Sequence, residues 1–204
     1  MVYNLQNMKL ILDFDDVLFN NTKQFKPRMF SLIENAGVPL GVPEKYYQEF
    51  KIKGFSLKNF LVALWGKYNI KKFDTQDVYE DIMRECPNFL DKKLLDVVKI
   101  LKKRNCYLSS SGDKKFQHEK IKRSGVQDLF YGVYITSESK KDMVTSICTK
   151  NKNDTVVFVD DKAIFFDDLD TEHCKNLKTI LYDEHGFQNL TNELEKQEKN
   201  YVNI

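Results

Sequence analysis

Paired cysteines are missing from this chain. Cys86, Cys106, Cys148 and Cys174 stand far apart, with no C-x-x-C pair and no histidine ligand set nearby. They read as reduced, mostly buried thiols, and a cytoplasmic setting is expected. The three histidines, His118, His173 and His185, have no Cys or second His at metal spacing and read as surface residues. No apolar run reaches the about 18–20 residues needed to cross a bilayer. The Met8–Leu12 run has neither a basic leader nor a small-residue cleavage site, so no signal peptide and no membrane partner is expected. Charge of one sign is also not in excess. The 32 Lys+Arg against 30 Asp+Glu leave a formal charge of +2, which gives no electrostatic case for a nucleic-acid partner. Lys71-Lys72, Lys102-Lys103-Arg104 and Lys140-Lys141 are first of all solvated faces. No internal repeat or low-complexity linker divides the chain, and nothing in it specifies an oligomeric state.

What is present begins with Lys9–Phe19, an apolar run that ends abruptly in Asp13, Asp15 and Asp16. Leu10, Ile11 and Leu12 are too few for a helix and suit a strand buried on both faces of a parallel sheet. Alternate side chains of a strand point the same way, so Asp13 and Asp15 are expected on one side of its carboxyl end, where open α/β sheets bind ligands. Two carboxylates held that close repel unless a cation or a shared proton relieves them, and Mg²⁺ is the simplest relief. A solvated Asp-rich turn is the alternative for this stretch taken alone.

From residue 20 to about residue 87 the pattern is helical throughout. Phe25, Met29, Phe30, Leu32 and Ile33 form one apolar stripe, stopped at Gly37. Tyr46, Tyr47 and Phe50 mark a second helix, Leu57 to Trp65 a third, and Val78, Ile82 and Met83 a fourth ending before Pro87. Some 65 residues without a strand exceed an ordinary βα crossover, so residues 20–87 are expected to form a helical insert. Its aromatic residues, Tyr46, Tyr47, Phe50, Phe55 and Trp65, are first of all its core. Beyond it, an amphipathic helix over 90–104 leads into strands at 106–112, 131–135, 155–159 and 177–182. These alternate with helices at 117–124, 140–149, 163–169 and 190–197. That order predicts an α/β fold, a doubly wound, Rossmann-like, parallel five-stranded sheet with a helical cap insert, residues 1–19 and 88–204 forming the core.

Asp13-Phe-Asp15-Asp-Val-Leu resembles the Asp-x-Asp-x-Thr/Val signature of the haloacid dehalogenase-like hydrolase superfamily, and three later segments follow in that family's order. Ser109-Ser110-Ser111-Gly112 resembles its second motif, a Ser or Thr that binds phosphate. The common Thr/Ser-x-Gly form picks out Ser110, with Ser109 one register away. Ser137 to Asp142 resembles the third motif, whose lysine offsets negative charge. The spacing to Met143, Val144 and Ile147 favours Lys140, without separating it firmly from Lys141. Val-Val-Phe-Val-Asp160-Asp161 resembles the acidic metal-binding motif, with Val159 where Gly is commoner. Asp167 and Asp168 lie beyond it, as candidate helix-cap residues.

The resemblance implies a Mg²⁺-dependent phosphomonoester hydrolase acting on a small phosphorylated metabolite. Asp13 is the nucleophile that forms an aspartyl-phosphate, and Asp15 the general acid and then base. Ser110 and Lys140 hold phosphate oxygens. The metal ion is held by Asp13, the backbone carbonyl of Asp15, Asp160 and, through water or by orienting a ligand, Asp161. Asp15 argues against halide displacement, which needs no leaving-group acid. Phosphomutase chemistry uses the same core. A phosphonate hydrolase would bring a cap lysine, and nothing marks out Lys51, Lys53 or Lys58. A binding or regulatory module with little turnover is the alternative from another class.

Overall fold

The computed structural model of the protein describes residues 7–51 and 55–202. Five parallel strands form one sheet in the order β3-β2-β1-β4-β5: β1 Met8–Asp13, β2 Cys106–Ser111, β3 Gly132–Thr136, β4 Thr155–Asp160 and β5 Leu177–Leu181. The most apolar strands take the middle because both their faces are covered. Leu10, Ile11, Leu12, Val157, Phe158 and Val159 are all fully buried. Register fixes the faces. Ile11 pairs with Tyr107 and with Phe158, so those side chains share one face, while Leu10 and Leu12 look to the other.

On the Ile11 face lies a small core with Val144, Ile147 and Cys148 of α7 (Lys141–Lys150). On the Leu12 face lies a much larger core. It takes in α5 (Lys92–Leu101), α6 (Lys114–Arg123) and α9 (Gly186–Val202), and runs without a break into the four helices that follow β1. Those are α1 (Lys26–Asn35), α2 (Val42–Phe50), α3 (Leu57–Tyr68) and α4 (Thr75–Arg84). No strand lies between β1 and α5 among the described residues. The aromatics of these helices pack on one another as expected of a core. Tyr46, Tyr47, Phe50 and Phe55 all approach the Phe60 ring, at 5.4–6.3 Å between centroids.

Three expected helices have different bounds. Residues 90–104 hold a shorter helix, because Asp91 caps its start through the Leu94 N–H and Lys102 turns left-handed (φ 66°) at its end. The helix expected over 163–169 is the single turn α8, Ile164–Asp167, while the last helix is longer than expected. All four cysteines are free and buried, and burial pushes the Cys86 and Cys106 thiols up to about 12. No described helix is long and apolar enough to cross a membrane.

Candidate active site

β1 and β4 are neighbours, and Leu12 pairs with Val159, so their last residues, Asp13 and Asp160, arrive together at the carboxyl end of the sheet. Both are buried, at 4% and 0% exposure. Between them stands Lys140, just ahead of α7 and itself only 1% exposed, not the solvated lysine its cluster suggests. Its ammonium donates to Asp13 Oδ1 at 2.5 Å and to Asp160 Oδ2 at 2.6 Å. The rings of Phe165 and Phe158 lie 4.4 and 5.8 Å away. Lys141 faces solvent. The turn that delivers Lys140 is tied down by Ser139, whose hydroxyl bonds Asp168 and accepts from the Lys141 N–H at 2.9 Å. Asp168 therefore anchors this loop to the one after β4.

Asp161 completes the corner. Asp13, Asp160 and Asp161 each offer an oxygen within 4.8 Å of the others. Asp161 Oδ1 is buried without a hydrogen-bond partner. Three carboxylates against one ammonium leave two negative charges uncompensated, the complement of a hard divalent cation such as Mg²⁺. Electrostatics agree. Burial pushes the Asp13 carboxyl up to about 8 against the pull of Lys140, with Asp160 adding to the rise. Burial likewise lifts Asp161 to about 6. Burial works to lower the Lys140 pKa, but Asp13 and Asp160 more than offset it and hold it above its ordinary value. Metal-free, the corner retains protons that a cation displaces.

Asp15 reaches the same cleft from the turn after β1. β1 ends at Asp13, and the chain doubles back through hydrogen bonds from Phe19 N to Phe14 O and from Asp16 N to Phe19 O. Asp15 lies in this turn, lines the same cleft as Asp13, and bonds α6 through its carboxylate. Lys120 Nζ donates to Asp15 Oδ1 at 2.5 Å and Gln117 Nε2 to Oδ2 at 2.8 Å. Asp16 adopts φ 61° and accepts from both the N–H and the hydroxyl of Thr22 at 2.6 Å, fixing the turn that opens the helical insert.

The serine run divides by the same alternation. Asp13 pairs with Ser109, so Ser109 and Ser111 share its face and Ser110 emerges on the other. Ser109 spends its hydroxyl on Leu12 O at 3.2 Å. Ser110 and Ser111 both carry buried, unpartnered hydroxyls, but Ser111 is the one that lines the cleft with Asp13. Sequence reasoning missed Ser111, Gln117 and Lys120. The signal for the last two was there: Phe116, Gln117, Lys120 and Ile121 recur at i, i+1, i+4 and i+5, one buried helix face with two polar members.

The cleft encloses about 360 Å³. Asp13, Asp15, Ser111 and Asp161 line it together with Lys26, Tyr47, Lys51 and Phe55 of the helical insert. Of the other lysines weighed from the sequence, Lys58 lies over the Tyr79 ring and Lys53 lies outside the described residues.

Neither a protein-family model nor a curated protein matches the sequence. Solved structures match in fold. A haloacid dehalogenase-like hydrolase from Burkholderia xenovorans superposes with a TM-score of 0.58 at 18% identity, covering 89% of this chain and 87% of that one. A β-phosphoglucomutase-like protein from Thermotoga maritima gives 0.54 at 15%, over 86% of each chain. A haloacid dehalogenase-superfamily hydrolase of subfamily IA from Geobacter sulfurreducens gives 0.54 at 12%, over 95% of this chain and 100% of that one.

Proposed function

We propose that this chain, which has the fold of the haloacid dehalogenase-like hydrolases, is a Mg²⁺-dependent hydrolase of small phosphomonoesters. Residues 1–19 and 88–204 then carry the chemistry, and residues 20–87 form a cap over it. The observation that carries the reading is the buried corner of Asp13, Asp160 and Asp161 around Lys140, with its two uncompensated negative charges. Asp13, Asp160 and Asp161 would hold the ion, which would supply charge screening between a carboxylate and an anionic phosphate.

Asp13 attacks phosphorus in line with the leaving oxygen, and an aspartyl-phosphate replaces the ester bond as the P–O bond to the alcohol breaks. Lys140, held on both Asp13 and Asp160, offsets charge at the nucleophile. Asp15, on the same cleft, passes a proton taken up with the substrate to the departing alkoxide and later takes one from the water that frees phosphate. The unpartnered Ser111 hydroxyl is free to bond a phosphate oxygen, a better-placed donor than the Ser110 suggested by motif spacing. The presence of Asp15 disfavours halide displacement, for which a leaving-group acid has no use.

The test is phosphate release from a broad panel of phosphomonoesters with Mg²⁺ and with EDTA. Wild-type release should depend on the metal ion and fall on the order of a thousandfold in Asp13→Asn. Folded, Mg²⁺-binding protein that releases nothing from any ester would reduce the chain to a binding module on this fold.

A further inference from the structure

We propose that Lys120, with Gln117 beside it, is a positioning residue that fixes which way the Asp15 carboxylate faces. The inference rests on the phosphomonoesterase reading above and deepens it. A lysine is almost never fully buried, because its ammonium loses several kcal/mol of hydration. Lys120 is 1% exposed. Its ammonium sits in a box of four rings, Phe14, Phe19, Phe25 and Phe116, with centroids 5.2–5.8 Å away. The rings come from the turn after β1, the start of the helical insert and α6, so three segments converge on one charge. That charge ends on the carboxylate of Asp15, whose side chain is 15% exposed toward the cleft.

Stability alone does not call for such a charge, since an apolar side chain of similar volume usually serves a buried position as well or better. Orientation does. Lys120 holds Oδ1 and Gln117 holds Oδ2 from one face of α6, so the carboxylate is gripped at both oxygens and cannot rotate freely. Gln117 is braced in turn by donating to Ser111 O at 3.1 Å. Gly112 leaves it room: with φ 131°, this residue would place any Cβ 3.3 Å from Gln117 Nε2. Catalysis through a carboxylate is sensitive to such anchoring, because a misplacement of about 1 Å can cost about a hundredfold in rate.

The experiment measures turnover with Mg²⁺ on two esters of similar size, p-nitrophenyl phosphate and an alkyl phosphate, for wild type, Lys120→Met, Gln117→Leu and Asp15→Asn. The alkoxide needs a proton to leave and the nitrophenolate does not, so aspartyl-phosphate formation separates loss of Asp15 function from general damage. Lys120→Met should slow formation from the alkyl ester about a hundredfold and from the nitrophenyl ester only a few-fold, the pattern of Asp15→Asn. Gln117→Leu should show the same pattern at roughly tenfold. Lys120→Met combined with Asp15→Asn should be no slower than Asp15→Asn alone. Equal losses on both esters, or losses that multiply in the double variant, overturn the proposal. Should Lys120→Met not fold, Gln117→Leu decides by the same criterion. A wild type silent on both esters breaks the phosphatase reading instead.

Discussion

Lys140 and Lys120 are two buried lysines at the head of the same sheet, each bonded to one of the two aspartates of the opening motif. Their surroundings differ. Lys140 serves Asp13 and Asp160 together in a corner that stays negative after it is counted, with Asp161 alongside. Lys120 serves Asp15 alone, is neutralised by it, and is sealed from water by four phenylalanines. The first lysine lowers repulsion among several acids crowded into one corner. The second holds a single acid. Equal burial of the same residue type therefore does not mean equal purpose; the number and exposure of the partner carboxylates decides it.

The sharpest way to break this comparison is stability measured by calorimetry with and without Mg²⁺. Lys140→Met leaves buried carboxylates facing one another and should destabilise the metal-free protein by about 3–5 kcal/mol, on the order of 10 °C in Tm. Saturating Mg²⁺ should restore most of that, because a cation can take over the charge. Lys120→Met should lose less, about 1–3 kcal/mol, because Asp15 can turn to cleft water. Mg²⁺ should not restore it. Rescue of both variants, or of neither, would show that the two corners are electrostatically alike.

A smaller effect separates them by pH. The Asp13 carboxyl, raised from 3.8 to about 8, holds its proton in the folded protein after the unfolded chain has released it. Metal-free stability from this group is therefore lost as pH climbs from about 4 to 8. Mg²⁺ needs the ionised carboxylate, so its stabilisation should grow over the same range. The rise in Tm on adding Mg²⁺ should be larger at pH 8.5 than at pH 6; an equal rise at both would remove Asp13 from the metal site. The smallest expected effect is at Ser111. Since its hydroxyl has no protein partner, Ser111→Ala should change stability by no more than about 1 kcal/mol while raising KM for a phosphomonoester roughly tenfold. The same loss in Ser110→Ala with none in Ser111→Ala would return the phosphate contact to the residue that motif spacing suggested.

What the sequence by itself determined is the scaffold. Short apolar runs bounded by acids or serines make buried parallel strands, the 3.6-residue stripes make the helices around them, and Asp13 and Asp160 reach one edge because each closes such a strand. These are local patterns, and backbone periodicity turns them directly into position. Tertiary structure alone decided the rest. It chose Lys140 over Lys141 by burying one and exposing the other. It brought Ser111 to the cleft through strand register. It paired the Asp15 carboxylate with Lys120 and Gln117 of α6. It also made Lys120 part of the site by packing three rings from residues 14–25, about a hundred positions away, and Phe116 of its own helix around its charge. A buried charge is set by what packs over it from distant segments, which no local pattern carries.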